Sequence, residues 1–158
     1  LRRAHDLHLG YYELMSVYVE LIEKAYDEVQ PAAGALELMR VAKSKDWRIA
    51  IVTSNQSSLA QRWLTLVGLS RYVDLIISGE DVKRGKPDPE PYLNALMKVN
   101  CDANLSLAVE DTITGARAAL GAGLQTCLIN PTGSLELARS INIRNLHDVV
   151  RMLLGGVS

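Results

Sequence analysis

The chain has 158 residues, of which 48% are apolar and 22% charged, and its formal net charge is −1; this is ordinary for a soluble globular protein and long enough to bury one core. So even a charge gives no electrostatic case for nucleic acid or an anionic membrane as partner, and no apolar run approaches the roughly 20 residues that span a bilayer. The two cysteines, Cys101 and Cys127, form no CxxC pair and have no histidine cluster beside them, which reads as two reduced thiols in a cytoplasmic protein.

Taken in chain order, residues 11–29 predict an amphipathic helix, with Leu14, Val17, Leu21, Ile22 and Ala25 at helical spacing and Pro31 ending it. Gly34 opens a second helix to about Lys45, with Ala35, Leu38, Met39 and Ala42 as its apolar side. RIAIVTS, residues 48–54, predicts a strand, and Ser58 with Gln61 a capping box for the helix that Gly68 closes. VDLII, 73–77, is a second strand. The loop GEDVKRGKPDP follows, and Asp88 is placed to cap a helix with Pro89 in its first turn. A third strand at 106–109, an Ala-rich helix at 113–122 and a fourth strand at 125–129 come next, then short helices near 134–140 and 146–154. From residue 48 onward, alternating helices and short apolar strands predict a Rossmann-like parallel sheet covered by helices on both faces. The helical residues 1–30 read as a separate module from 31–158.

Ligands of open parallel sheets sit beyond the carboxyl ends of the strands. The first predicted strand ends in Thr53, Ser54 and Asn55, the third in Glu110 and Asp111, and the loop after the second carries Lys83, Arg84 and Lys86. A hydroxyl, backbone N–H groups and an ammonium suit a phosphate dianion. Adjacent carboxylates suit a hard cation such as Mg²⁺, which removes their mutual repulsion. Singly, each feature is commonplace: a helix cap, a solvated lysine, acids at a helix start. Their shared position at one end of successive strands is what points to a site.

IAIVTSN, GLSRYVDLIISGEDVKRGKPDPEPY and LAVEDTITGARAALGAG together resemble the haloacid dehalogenase-like superfamily, in the branch that holds phosphoglycolate phosphatase and β-phosphoglucomutase. The resemblance covers roughly residues 31–150. It implies Mg²⁺-dependent phosphoryl transfer through an aspartyl-phosphate on a small phosphorylated metabolite. By the same resemblance, Thr53 and Lys86 are catalytic and bind the phosphate, Ser54 and Asn55 assist through their backbone, and Asp111 and Glu110 serve the metal, while Thr112 and Gly115 shape their loop. Residues 1–30 resemble the returning leg of a helical cap.

The family's first motif, a strand ending in DxDxT that carries the nucleophile, is not found in the sequence; Asp6 has His8 two residues on and no apolar strand before it. The chain opens on Leu1 and not on methionine, and the motif is expected either on a segment before Leu1 or to be missing from the protein altogether. In the family its strand lies between those at 48–54 and 106–109. The sheet is therefore expected either to open by two strand spacings there or to pair the flanking strands directly, and a second copy of the chain is one way to fill the seam. Three readings follow: a phosphatase whose nucleophile lies on another segment, a catalytically inactive domain that binds phosphate or metal weakly or acts as an interaction module, and a phosphomutase.

Overall fold

The computed structural model describes residues 10–155 apart from 131 and 135, and not the side chains of residues 11, 12, 15 and 23; Asp6 and His8 lie outside the described residues. The chain divides into two units between Gln30 and Pro31. In the first, helix α1 (Tyr11–Glu28) forms as its apolar spacing predicts, and Gly10 N–H donates to Glu13 Oε2 at 2.9 Å to close its first turn. Val29 behind it is extended.

The second unit holds the strands. β1 (Ala50–Val52) and β2 (Leu75–Ile77) pair in parallel, Ala50 opposite Leu75 and Val52 opposite Ile77. β3 (Leu107–Glu110), β4 (Gln125–Ile129) and β5 (Ile141–Ile143) form a second parallel sheet in that order. The helices are α2 (Ala35–Ser44), α3 (Ser57–Leu66), α4 (Glu90–Val99), α5 (Ile113–Gly121) and α6 (Leu146–Leu153). Helices α3 and α4 pack on the first sheet, α5 on β3 and β4, α6 on β5, and α2 against α6.

Two-residue periodicity splits β3 between two cores. Leu107 and Val109 face the cluster of Cys127, Ile143 and Val149, while Ala108 faces the cluster of Tyr92, Ala118, Ala119, Ala122 and Leu124. Alanines on α5 let its backbone lie close to the sheet, and Ala116, Ala118 and Ala119 are fully buried there. Glu110 shares the face of Ala108, so its carboxylate points toward α4 and α5. On the other side of that cluster, Val52 of β1 and Leu96 of α4 pack against it.

The α/β class and the parallel pairing are as expected, but two local expectations fail. Residues 136–140 are not helical: Arg139 sits in the left-handed region at φ 71°, and the chain turns into β5. Ile141 to Ile143 can satisfy their backbone on the free edge of β4, which outweighs the weak helical preference of so short a segment. The Ser58–Gln61 capping box does not form. Helix α3 starts two residues earlier, with Gln56 as its N-cap, and a carboxylate from a distant loop, Glu80 Oε2, accepts from Ser57 N–H at 3.1 Å. The strands fall into two sheets, and among the described residues no backbone ladder joins β1 to β3, so the flanking strands do not pair directly.

Candidate active site

β1 and β2 remain hydrogen-bonded one residue past the strand, where Thr53 N–H donates to Ile77 carbonyl at 2.9 Å. Thr53 therefore sits at the sheet's rim with a fixed backbone. Its Oγ1 accepts from Asn55 N–H at 3.1 Å. That bond occupies a lone pair and leaves the hydroxyl proton free to point outward as a donor. Ser54 and Asn55 follow it, both exposed. The neighbouring loop comes so close that a Cβ on Gly79 would lie 2.7 Å from Ser54 carbonyl, so only glycine permits this approach.

The loop between β2 and α4 is tied down by its own acids. Ser78 is buried, and its N–H and hydroxyl both donate to Asp81 Oδ2, at 2.8 and 2.7 Å, while Lys98 Nζ pairs with Oδ1 at 3.2 Å. The Ser78 backbone N–H, then its hydroxyl, then Lys98 pull the Asp81 carboxyl from about 3.8 down to about 2. Glu90, opening α4, accepts from the N–H groups of Lys83 and Arg84 at 2.7 and 3.1 Å, and the first of these lowers its pKa most. Asp88 Oδ1 in turn accepts from Glu90 N–H at 3.0 Å, which gives Asp88 the capping part its position predicts. Arg84 turns outward to Asp88 and Glu90, and Lys83 is exposed. Of the three cations in this loop, Lys86 is the one that enters the site.

Lys86 Nζ donates to Val52 carbonyl at 3.0 Å and forms a hydrogen-bonded ion pair with Glu110 Oε1. The two side chains are only 13% and 8% exposed. Val52 immediately precedes Thr53, and Glu110 immediately precedes Asp111. One ammonium thus joins the tips of β1 and β3 across the edge where their backbones do not pair. The Tyr92 hydroxyl donates to the same Glu110 oxygen, and the Tyr92 ring centroid lies 5.4 Å from Lys86 Nζ, within cation–π range. Burial first, then the Glu110 charge, push the Tyr92 phenol far above its ordinary range, so it remains a donor.

Asp111 is exposed and makes no hydrogen bond or ion pair among the described residues. Thr112 caps α5 by accepting Gly115 N–H at 3.1 Å. The Glu110 carboxylate lies over Gly115 itself, where a Cβ would overlap it.

All six predicted site residues therefore lie at the tips of β1 and β3 or on the loop between β2 and α4. Lys86 and Glu110 are directly linked to each other, and Lys86 to the Val52 carbonyl, whereas Thr53, Ser54, Asn55 and Asp111 are placed by neighbouring residues in the chain. Sequence reading did not single out Tyr92, which it only placed on its helix. A buried tyrosine hydroxyl needs a partner, but that Tyr92 is buried and that Glu110 falls within its reach are set only in the folded chain. As for a metal, no three histidines, cysteines or acids converge among the described residues. Among the described residues the one unengaged carboxylate at the rim is Asp111. Mg²⁺ is compatible with so sparse a set, since it keeps several waters and commonly takes one or two carboxylates plus phosphate oxygens.

The family profile of haloacid dehalogenase-like hydrolases matches residues 6–129. The chain belongs to that family. Among curated haloacid dehalogenase-like relatives, a phosphoglycolate phosphatase of Cupriavidus necator is 34% identical over 126 residues, which cover 77% of this chain and 53% of the relative. A phosphorylated carbohydrates phosphatase of Thermotoga maritima is 36% identical over 92 residues, 58% of this chain and 43% of that one. The chain spans about half the length of the curated relatives it matches. Among solved structures, a HAD phosphatase from Thermococcus onnurineus superposes with a TM-score of 0.76 at 25% identity, covering 96% of this chain and 67% of that one. CbbY from Rhodobacter sphaeroides, crystallised with phosphate, superposes with a TM-score of 0.79 at 22% identity, over 94% of this chain and 70% of that one, and shows the shared fold.

Proposed function

We propose that this chain belongs to a Mg²⁺-dependent phosphatase acting on a small phosphomonoester. The observation that carries this reading is the Lys86 ammonium, hydrogen-bonded to Val52 carbonyl at 3.0 Å and ion-paired to Glu110. It gathers a hydroxyl tip and a carboxylate tip around one positive charge. The curated relatives named above are phosphatases, in keeping with that chemistry.

In this reading the Thr53 hydroxyl and the backbone N–H of Ser54 donate to phosphate oxygens, and Lys86 balances their charge. Asn55 acts through its N–H on Thr53 Oγ1, which fixes the direction of the hydroxyl. Glu110 holds Lys86, and Asp111 is the carboxylate that would hold Mg²⁺. A bound Mg²⁺ supplies charge neutralisation and orientation of the phosphate. The attacking carboxylate is assigned to a further segment of the protein, on a strand completing the edges of β1 and β3. It displaces the alcohol from phosphorus, the alkoxide taking a proton from solvent as it leaves; water then attacks phosphorus, giving a proton back to solvent, which releases inorganic phosphate and restores the carboxylate. Catalysis is mainly positioning and charge stabilisation.

The test is hydrolysis of p-nitrophenyl phosphate with and without Mg²⁺. The 158 residues alone are expected to give no turnover, and the protein that also carries a DxDxT strand is expected to be active. In that protein Lys86→Ala and Asp111→Ala should each lose about 10²–10³ in kcat, the usual effect of removing one charge-stabilising group. Full turnover in either variant removes that residue from the mechanism.

A further inference from the structure

We infer that Tyr92 is a positioning residue: its hydroxyl orients the Glu110–Lys86 pair that joins β1 to β3. The inference rests on the site reading above and extends it to a residue that neither the strand tips nor the loop supplies.

Glu110 Oε1 accepts from both Lys86 and Tyr92. A carboxylate held by one flexible lysine is free to rotate about its own side-chain torsions, and the ammonium then follows it. A second donor from a rigid ring removes that freedom. Tyr92 is such a donor, because its ring is 6% exposed and packed among Ala108, Ala118, Ala119, Ala122 and Leu124. It leaves α4 on the buried face, with Leu96 one turn on packed into the same cluster. The ring also lies 5.4 Å from the ammonium, so one side chain touches both members of the pair. On the opposite side, Gly115 leaves room for the carboxylate. Glu110 is thereby confined between a phenol and a glycine, and Lys86 is set between Glu110 and Val52 carbonyl. The charges facing this arrangement are Lys86 from its loop and Asp111 from the next residue of the chain. Like-charge repulsion from Asp111 gives Glu110 a reason to swing away, which the Tyr92 hydroxyl opposes.

The experiment reads the Lys86 ammonium directly. In ¹⁵N-labelled chain, the ammonium protons of a lysine held by hydrogen bonds exchange slowly with water and give a resolved side-chain signal; Lys86→Met assigns it by its loss. Tyr92→Phe keeps the ring and removes the hydroxyl. Exchange of the Lys86 protons should then quicken about tenfold or more, the factor expected when a charged group loses one hydrogen bond. Leu96→Ala is the packing control, lowering the thermal midpoint from the same core while leaving that exchange unchanged. Glu110→Gln alone should quicken exchange, and adding Tyr92→Phe to it should change little, since the hydroxyl acts through Glu110. The inference is overturned if Tyr92→Phe leaves the exchange as in wild type, if Leu96→Ala quickens it equally, or if the two effects add in the double variant. None of these readouts needs turnover, so a protein without phosphatase activity would sink the proposed function and leave this assignment to stand or fall on its own.

Discussion

Gly115 shows how the same substitution changes sign with its surroundings. At a helix position, replacing glycine by alanine ordinarily stabilises by about 0.5–1 kcal/mol. Here the added methyl would overlap the Glu110 carboxylate, and overpacking of a filled site costs about 1–3 kcal/mol. The second effect is larger, so Gly115→Ala should destabilise, by a net amount on the order of 1–2 kcal/mol in urea unfolding. An unchanged or raised midpoint would mean that the carboxylate rests elsewhere. The resemblance singled out Gly115 as shaping its loop; the reason, a carboxylate lying on it, belongs to the folded chain. Tyr92 is the complementary case. Its type and its helical position are plain in the sequence, yet its partner lies 18 residues away on another element, where no local pattern reaches.

The loop from Ser78 to Glu90 explains how a long connection delivers one lysine to the rim. It is held by Asp81 on the N–H and hydroxyl of Ser78, by Glu90 on the N–H groups of Lys83 and Arg84, and by Glu80 reaching across to α3. Asp81 makes this order sensitive to pH in one direction. Its folded pKa of about 2 lies below the ordinary 3.8, so the unfolded chain binds the proton first. The stability it contributes is complete above its ordinary value and is lost as pH falls through about 2. Asp81→Asn should therefore unfold more readily than wild type near neutrality, with the difference shrinking between about pH 4 and pH 2. A difference that stayed constant over that range would show that the carboxylate charge is not what holds Ser78. Strands and helices here were legible wherever periodicity was long, as in α1, α4 and α5. Residues 136–143 were misjudged because a free edge on β4, invisible in one dimension, rewarded an extended backbone.

For the molecule as a whole, the division between Gln30 and Pro31 separates one helix from all the strands. Residues 31–158 hold both core clusters and every predicted site residue. Expressed alone, they should unfold in one cooperative transition with a midpoint within about 4 °C of the whole chain, a difference worth about 1 kcal/mol for a domain of this size. A broad or much lower transition would place part of the core's support in residues 1–30. Among the described residues no helix is long and apolar enough to cross a membrane, in line with the absence of any long apolar run.

Sequence alone determined the class of fold, the strand tips worth inspecting and the residues at them, because hydrophobic period and turn chemistry are local properties and the tips follow from the ends of apolar runs. The resemblance picked out Lys86 among the loop's cations, but how that side chain is drawn inward, that Glu110 pairs with it and that Asp111 makes no pair among the described residues were decided only in three dimensions. Lys83, Arg84 and Lys86 are chemically near-equivalent in the sequence; they differ once Glu90 and Asp88 draw Arg84 outward and the Val52 carbonyl and Glu110 take up Lys86. Electrostatic partners in a folded chain are set by distance and burial, and both arise from packing between elements far apart in the chain.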